Sequence, residues 1–193
     1  MTSGPAKSEP NPRRAAAIAF PIIILVILVL FVIAYVATAL LGLPWSLGLP
    51  VPVRIAGGAI LVAGLAVMGW LFRHRGPTNV IVSTYVTFTK IFRRVPIAER
   101  SGRTEPLVIN GPQRYVRHPL YAGVVVMVLG WAILTLVTFI LVATLVVFLW
   151  FRLLLIPFEE RELNALFGEE YRIYCDRVPA MVPLTKLGRR KPA

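Results

Sequence analysis

Three consecutive pieces decide the fold: Arg117-His118-Pro119-Leu120-Tyr121, the nearly unbroken apolar run from Leu120 to Pro157, and Glu159-Glu160-Arg161-Glu162 just after it. An α-helix rises about 1.5 Å per residue, so 120–157 as one helix would extend roughly 57 Å, nearly twice a hydrocarbon core of about 30 Å. The run therefore reads as two short membrane helices with a tight turn near Leu134 to Thr138. A hairpin returns to the membrane face it left. It brings the Arg117 and Glu159 clusters together, and a small membrane protein can build a polar pocket that way without a soluble domain.

Working outward, Ala15 to Leu41 is an apolar stretch long enough to span and too long for the roughly 7–15-residue core of a signal peptide. Pro44, Pro50 and Pro52 with Trp45 mark a short turn with an interfacial aromatic. Val53 to Phe72 is a second span, and its Gly57, Gly58, Gly64 and Gly69 would let a neighbouring helix approach closely. Thr78 to Phe92 places Ile81, Tyr85, Phe88 and Phe92 on one helical stripe and reads as an amphipathic helix at the interface, with a tilted membrane helix as the alternative. Glu159 to Tyr174 reads as a second amphipathic helix, with Gly168 as a stop or kink. Residues 1–14 and 184–193 read as a disordered cytoplasmic tail and a basic tail. Residues 15–183 form one membrane domain.

Composition agrees. The chain has 193 residues, of which 57% are hydrophobic and only 16% charged, and its mean hydropathy is +0.74. A soluble domain of this length needs more charge to cover its surface. The expected fold is an all-α integral membrane protein with about four transmembrane helices plus interfacial or cytoplasmic amphipathic helices. The net charge of +12 fits topology signals and anionic-lipid contacts, not nucleic acid, because no basic face with interleaved aromatics stands apart from the spans. With both termini inside, Arg54 is the only external Lys or Arg among 21, so a plasma- or inner-membrane protein with cytoplasmic N and C termini is expected. The single Cys175 and the distant His74 and His118 exclude an internal disulfide and argue against a metal site.

Two clusters could carry chemistry. Pro119 suits the first helical turn, which leaves His118 at a helix entrance whose free N–H groups favour an anion. Alternatively, Arg114 and Arg117 contact lipid headgroups while Tyr115 and Tyr121 sit in an aromatic belt. Glu159 and Glu160 lie where the dipole at the end of a span disfavours carboxylates, which invites a partner: an ammonium, ribose hydroxyls or an arginine. The alternative there is a solvated surface in which Glu159, Arg161 and Glu162 mix their charges. One ligand would suit both clusters, with a carboxylate and an ammonium at one end, hydroxyls in the middle and an aromatic ring.

The ordered set Arg117-His118-Pro119-x-Tyr121-x-Gly123, apolar hairpin, Glu159-Glu160-x-x-Leu163-x-x-x-Phe167-Gly168-x-Glu170-Tyr171-x-x-Tyr174, then Val178-Pro179 and Pro183, resembles the isoprenylcysteine carboxyl methyltransferase family, part of a wider group with the phospholipid N-methyltransferases. The resemblance covers about residues 105–183. It implies S-adenosylmethionine as cofactor, in a pocket open to the cytoplasm, and a lipidic or prenylcysteine-like small acceptor arriving from the bilayer. It implies cofactor contacts at Leu107, Val108, Gln113, His118, Pro119, Leu120, Tyr121 and Glu159. For an amine acceptor Glu160 or His118 is the candidate proton acceptor, and Arg117 or Arg152 would orient an acidic acceptor. The eukaryotic isoprenylcysteine enzymes have an arginine close before the glutamates; the corresponding place here is near Leu155, and the nearest arginine, Arg152, is about one turn away. Membrane lipids and the acceptor are the expected partners, and no obligatory protein partner is evident. Two other classes stay open at this point: an NADPH-dependent membrane reductase of the sterol-reductase type, and a non-enzymatic membrane scaffold.

Overall fold

In a computed structural model the chain is described over residues 12–80 and 107–182. Residues 1–11 of the tail expected at 1–14, the basic tail expected at 184–193 and most of the amphipathic segment expected at 78–92 lie outside the described residues; residues 12–14 belong to the first helix instead of the tail, and a single helical turn is seen at 77–80. The described elements are helices: α1 (Pro12–Leu40), α2 (Val51–Arg75), a 3₁₀ turn (Gly111–Arg114), α3 (Pro119–Thr135), α4 (Thr138–Trp150), a π turn (Phe151–Leu155), α5 (Ile156–Phe167) and α6 (Glu169–Arg177). Among the described residues three helical stretches are long and apolar enough to cross a membrane: Pro21–Leu40, Val51–Arg75 and Thr138–Phe167. The fourth apolar helix, Pro119–Thr135, is shorter. This is the expected all-α membrane architecture.

Two helical hairpins make the bundle. Their closed ends are stitched together: Leu47 N–H donates to Leu136 O at 2.9 Å and Thr138 N–H to Trp45 O at 3.0 Å. The turn between α3 and α4 falls at Leu136-Val137, where Leu136 adopts a left-handed φ of 58° that ends α3. Arg54 donates through Nε to Leu134 O at 3.1 Å. A cation on the orphan carbonyls of a helix end is favoured by their partial negative charge. The basic residue expected to stand alone at this end thus has a structural job.

Small residues decide how α2 and α3 meet. A Cβ on Gly57 or Gly130 would run into the backbone of Leu134 or Leu61, and one on Gly64 would sit 2.6 Å from Met127 Cγ. The pairs Gly57/Gly64 and Gly123/Gly130 recur at seven residues, so each lies on one helix face. Gly58 and Gly69, expected to serve the same purpose, do not: Gly69 has nothing within 4 Å of its would-be Cβ. α1 packs more loosely on α4, through Leu30, Ala34 and Thr38 at four-residue spacing and through Phe31 and Tyr35 against Phe139. Most of its other apolar side chains are exposed, as a lipid-facing helix requires.

The hairpin's second arm departs from expectation. Pro157 does not end it. Proline lacks an N–H and its ring pushes away the carbonyl four residues back, which would break an ordinary helix. Here the chain widens by one residue into a π turn, with Ile156 N–H bonding to Phe151 O, and the helix continues through α5. The expected single amphipathic helix over Glu159 to Tyr174 is therefore two. α5 grows directly out of the span, and Gly168, with φ 53°, separates it from α6.

Candidate active site

Pro119 is the first residue of α3, and His118 sits at its N-cap. The chain before it is clamped from the C-terminal side: Arg117 N–H donates to Pro179 O and His118 N–H to Ala180 O, both at 2.9 Å. The α6 cap and tail thus lie alongside the entrance to α3. Arg117 reinforces this contact. Its Nη1 donates to Val178 O at 2.6 Å and to Cys175 O at 3.0 Å, at the C-terminal end of α6. Its Nε donates to Glu160 Oε1 at 3.1 Å, and Nη2 reaches the same oxygen. One guanidinium therefore ties α5, α6 and the α3 entrance together, which the planar fork of arginine suits better than a lysine would.

His118 is 6% exposed and lies between the two glutamates. Nδ1 is 3.3 Å from Glu159 Oε2, and Nε2 is 3.4 Å from Glu160 Oε1. Burial lowers the imidazole's pKa, but the two carboxylates favour the cation more strongly, and the net displacement from 6.5 is upward. Tyr121 donates to Glu159 Oε1 at 2.8 Å. Its ring stacks on those of His118 (centroids 5.6 Å apart, 15° between planes) and Phe151 (4.5 Å, 22°). The carboxylates that seemed misplaced at the end of a span are accounted for: the helix continues past them, so no terminal dipole opposes them, and Arg117, His118 and Tyr121 supply the partners.

These residues border a cleft with about 580 Å³ of free space, its open mouth included. Gln113, Arg117, His118 and Glu159 form its polar side. Leu107, Val108, Leu163 and Phe167 form an apolar wall, backed by Tyr171 and Tyr174. Burial pushes both tyrosine hydroxyls well above their ordinary pKa, so both stay protonated. Tyr174 donates to the backbone carbonyl of Gln113 at 2.7 Å. Gln113 is 5% exposed, and its side-chain Oε1 has no hydrogen-bond partner among the described residues. A buried acceptor left unsatisfied costs about 1–3 kcal/mol, which a donating ligand would relieve. A second lobe adjoins the first past His118 and Glu159, and Leu71, Pro119, Leu120 and Tyr121 border it.

The structure thus gathers Leu107, Val108, Gln113, Arg117, His118, Pro119, Leu120, Tyr121 and Glu159 around one cleft, with Glu160 just behind it. Arg152 is not among them. It is exposed on the π turn and borders neither lobe. Arg75, at the end of α2, borders both lobes instead. Sequence reasoning missed it, since it lies far from the clustered motifs and looked like a topology signal. It also missed the burial of Glu162, which is only 1% exposed and not part of a solvated surface.

A small polytopic helical membrane protein with a carboxylate-lined cleft at one end of its bundle is the class so defined. The chain belongs to the phospholipid methyltransferase family, whose sequence profile matches residues 53–170. It is 29% identical over 131 residues to methanethiol S-methyltransferase of Crocosphaera subtropica, covering 65% of this chain and 48% of that protein. It is 35% identical over 120 residues to protein-S-isoprenylcysteine O-methyltransferase B of Arabidopsis thaliana, covering 59% and 60%. It is 38% identical over 72 residues to methanethiol S-methyltransferase 1 of Bradyrhizobium diazoefficiens, covering 36% and 24%. The chain therefore spans about half the length of these curated relatives. No solved structure matches. Membership in a membrane methyltransferase family does not favour the reductase and scaffold alternatives.

Proposed function

We propose that this chain is an S-adenosylmethionine-dependent methyltransferase that modifies a lipophilic acceptor at the cytoplasmic face, with both termini on that side. The observation that carries the reading is the convergence of Gln113, His118, Tyr121 and Glu159 on one cleft with an apolar wall. The donor set fits the cofactor: carboxylates for an ammonium or ribose hydroxyls, an orphan amide oxygen for an amino group, and Leu163 and Phe167 for a ring. When bound, the cofactor supplies a methyl group already activated on a sulfonium.

The protein's share is then positioning and exclusion of water. Glu159 holds the ammonium or the ribose. His118 and Tyr121 hold the amino-acid end, and Pro119 and Leu120 border the second lobe. Arg117 fixes Glu160 and the α6 cap while forming part of the cleft's polar side, so it both shapes the site and borders it. A thiolate or carboxylate acceptor needs no base. An amine acceptor must be neutral and needs a base, a role for which Glu160, tied to Arg117 behind the cleft, and His118, favoured as a cation between two carboxylates, are poorly suited. The activities by which the relatives are named, S-methylation of methanethiol and O-methylation of isoprenylcysteine, support an apolar, sulfur-bearing acceptor. No arginine stands at the place near Leu155 where the resemblance expects the acceptor arginine, and Arg152 is exposed away from both lobes, which favours the thiol over the carboxylate.

Calorimetric titration of S-adenosylhomocysteine into detergent-purified protein, with NADPH in parallel, tests the reading. Saturable binding of the first, lost in His118→Ala, is expected. Binding of NADPH alone would overturn it.

A further inference from the structure

We propose that Phe151, through the π turn that carries it, is a positioning residue for Tyr121 and Glu159; this rests on the cofactor reading above. Phe151 lies in the hairpin's second arm, outside every motif that marked the site. Its ring stacks on Tyr121 at 4.5 Å, closer than the His118 ring at 5.6 Å. Tyr121 in turn donates to Glu159. Phe151 and Glu159 are eight residues apart on one helical arm, and they meet the ring and the hydroxyl of one tyrosine.

Helical phase explains why the π turn is needed. At about 100° per residue, eight residues of regular α-helix turn the chain roughly 80° past two full turns. Phe151 and Glu159 would then face different directions, and one tyrosine could not meet both. A π turn absorbs one extra residue, so the effective advance is about seven residues, within roughly 20° of two full turns. The ring contact and the carboxylate then fall on one face, toward α3. Ile156 N–H to Phe151 O is the hydrogen bond that records this insertion. Pro157, which cannot donate to the carbonyl four residues back, keeps it in place.

The consequence concerns the site. A phenol that donates to Glu159 must hold its ring fixed. The Tyr121 ring stacks on both His118 and Phe151, with Phe151 the nearer of the two. Without the Phe151 ring one face opens, and the hydroxyl is free to leave Glu159. Phe151 itself contacts no reacting group, so its effect on ligand binding runs through Tyr121.

The test is calorimetric titration of S-adenosylhomocysteine into detergent-purified full-length protein carrying Phe151→Leu, Phe151→Tyr, Tyr121→Phe, or Tyr121→Phe with Phe151→Leu. A stacked aromatic pair sets the expected effect: Phe151→Leu weakens binding about five- to tenfold, while Phe151→Tyr stays within about twofold of wild type. In the Tyr121→Phe background the leucine substitution changes affinity by less than about twofold, because the hydroxyl it would misplace is already gone. A general packing defect gives the same loss in both backgrounds and overturns the inference. So does Phe151→Leu binding as wild type does. Wild-type protein that does not bind S-adenosylhomocysteine overturns the cofactor reading itself, a separate outcome.

Discussion

Replacing Arg117 with alanine removes a clamp as well as a charge. The guanidinium donates to Glu160 Oε1 and to the carbonyls of Cys175 and Val178. Hydrogen bonds to charged groups contribute about 1.5–3 kcal/mol each, and stranding one member of a buried pair costs about 3–5 kcal/mol. The pair here is only partly buried, with side-chain exposures of 10% for Arg117 and 29% for Glu160, so water screens part of the loss. Glu160 also keeps His118 as a partner. A net destabilisation of about 3 kcal/mol follows, or roughly 6–12 °C in melting temperature for a chain of this size. Arg117→Lys keeps the charge but not the fork, and recovers about half of that. The assay is thermal unfolding in detergent followed by tryptophan fluorescence. Alanine melting within about 2 °C of wild type, or lysine matching arginine, refutes the claim that one guanidinium holds α5, α6 and the α3 entrance together.

Three further outcomes can be checked. Gly130→Ala drives a Cβ into the Leu61 backbone and is expected to cost about 1–3 kcal/mol by thermal unfolding, whereas Gly69→Ala, with open space, is neutral or stabilising by up to about 1 kcal/mol. The raised pKa of His118 means that its protonated form is favoured by folding, so its contribution is complete below about 6.5 and is lost as pH rises through the folded value. Melting temperature should therefore fall over that interval in wild type, and a His118→Gln protein that falls equally would remove the histidine as the cause. Pro157→Ala restores the missing N–H and lets the π turn relax. Melting temperature is expected to hold or rise while S-adenosylhomocysteine affinity drops about tenfold, and unchanged affinity would argue against the phase account.

Several parts of this structure can be read from residues alone. The hairpin follows from length, because no single helix can hold the apolar run from Leu120 to Pro157 in one membrane crossing, and its turn falls at Leu136-Val137 inside the expected window. Local signals also place Pro119 at the start of α3. What composition does not reveal is phase and long-range return. Gly57 and Gly69 look alike in sequence, yet one meets the α3 backbone and the other meets nothing. A proline near the end of a span reads as a stop, yet the chain widens into the π turn around Pro157 and the helix continues. The role of Arg117 depends on Cys175 and Val178, about sixty residues downstream, folding back against it. Arg152 and Arg75 exchange places for the same reason: sequence distance from Glu159 favours the first, and the bundle's geometry brings the second to the cleft.

The central claim is that this cleft is a methyl-transfer site, and transfer itself tests it most directly. Protein in detergent is incubated with S-adenosylmethionine labelled in its methyl group and a long-chain alkyl thiol, and label is counted in the organic extract. The account predicts extractable label with wild type and a loss of about a hundredfold in Glu159→Gln, with the variant still folded by thermal unfolding. Glu159→Gln transferring label as fast as wild type would contradict it.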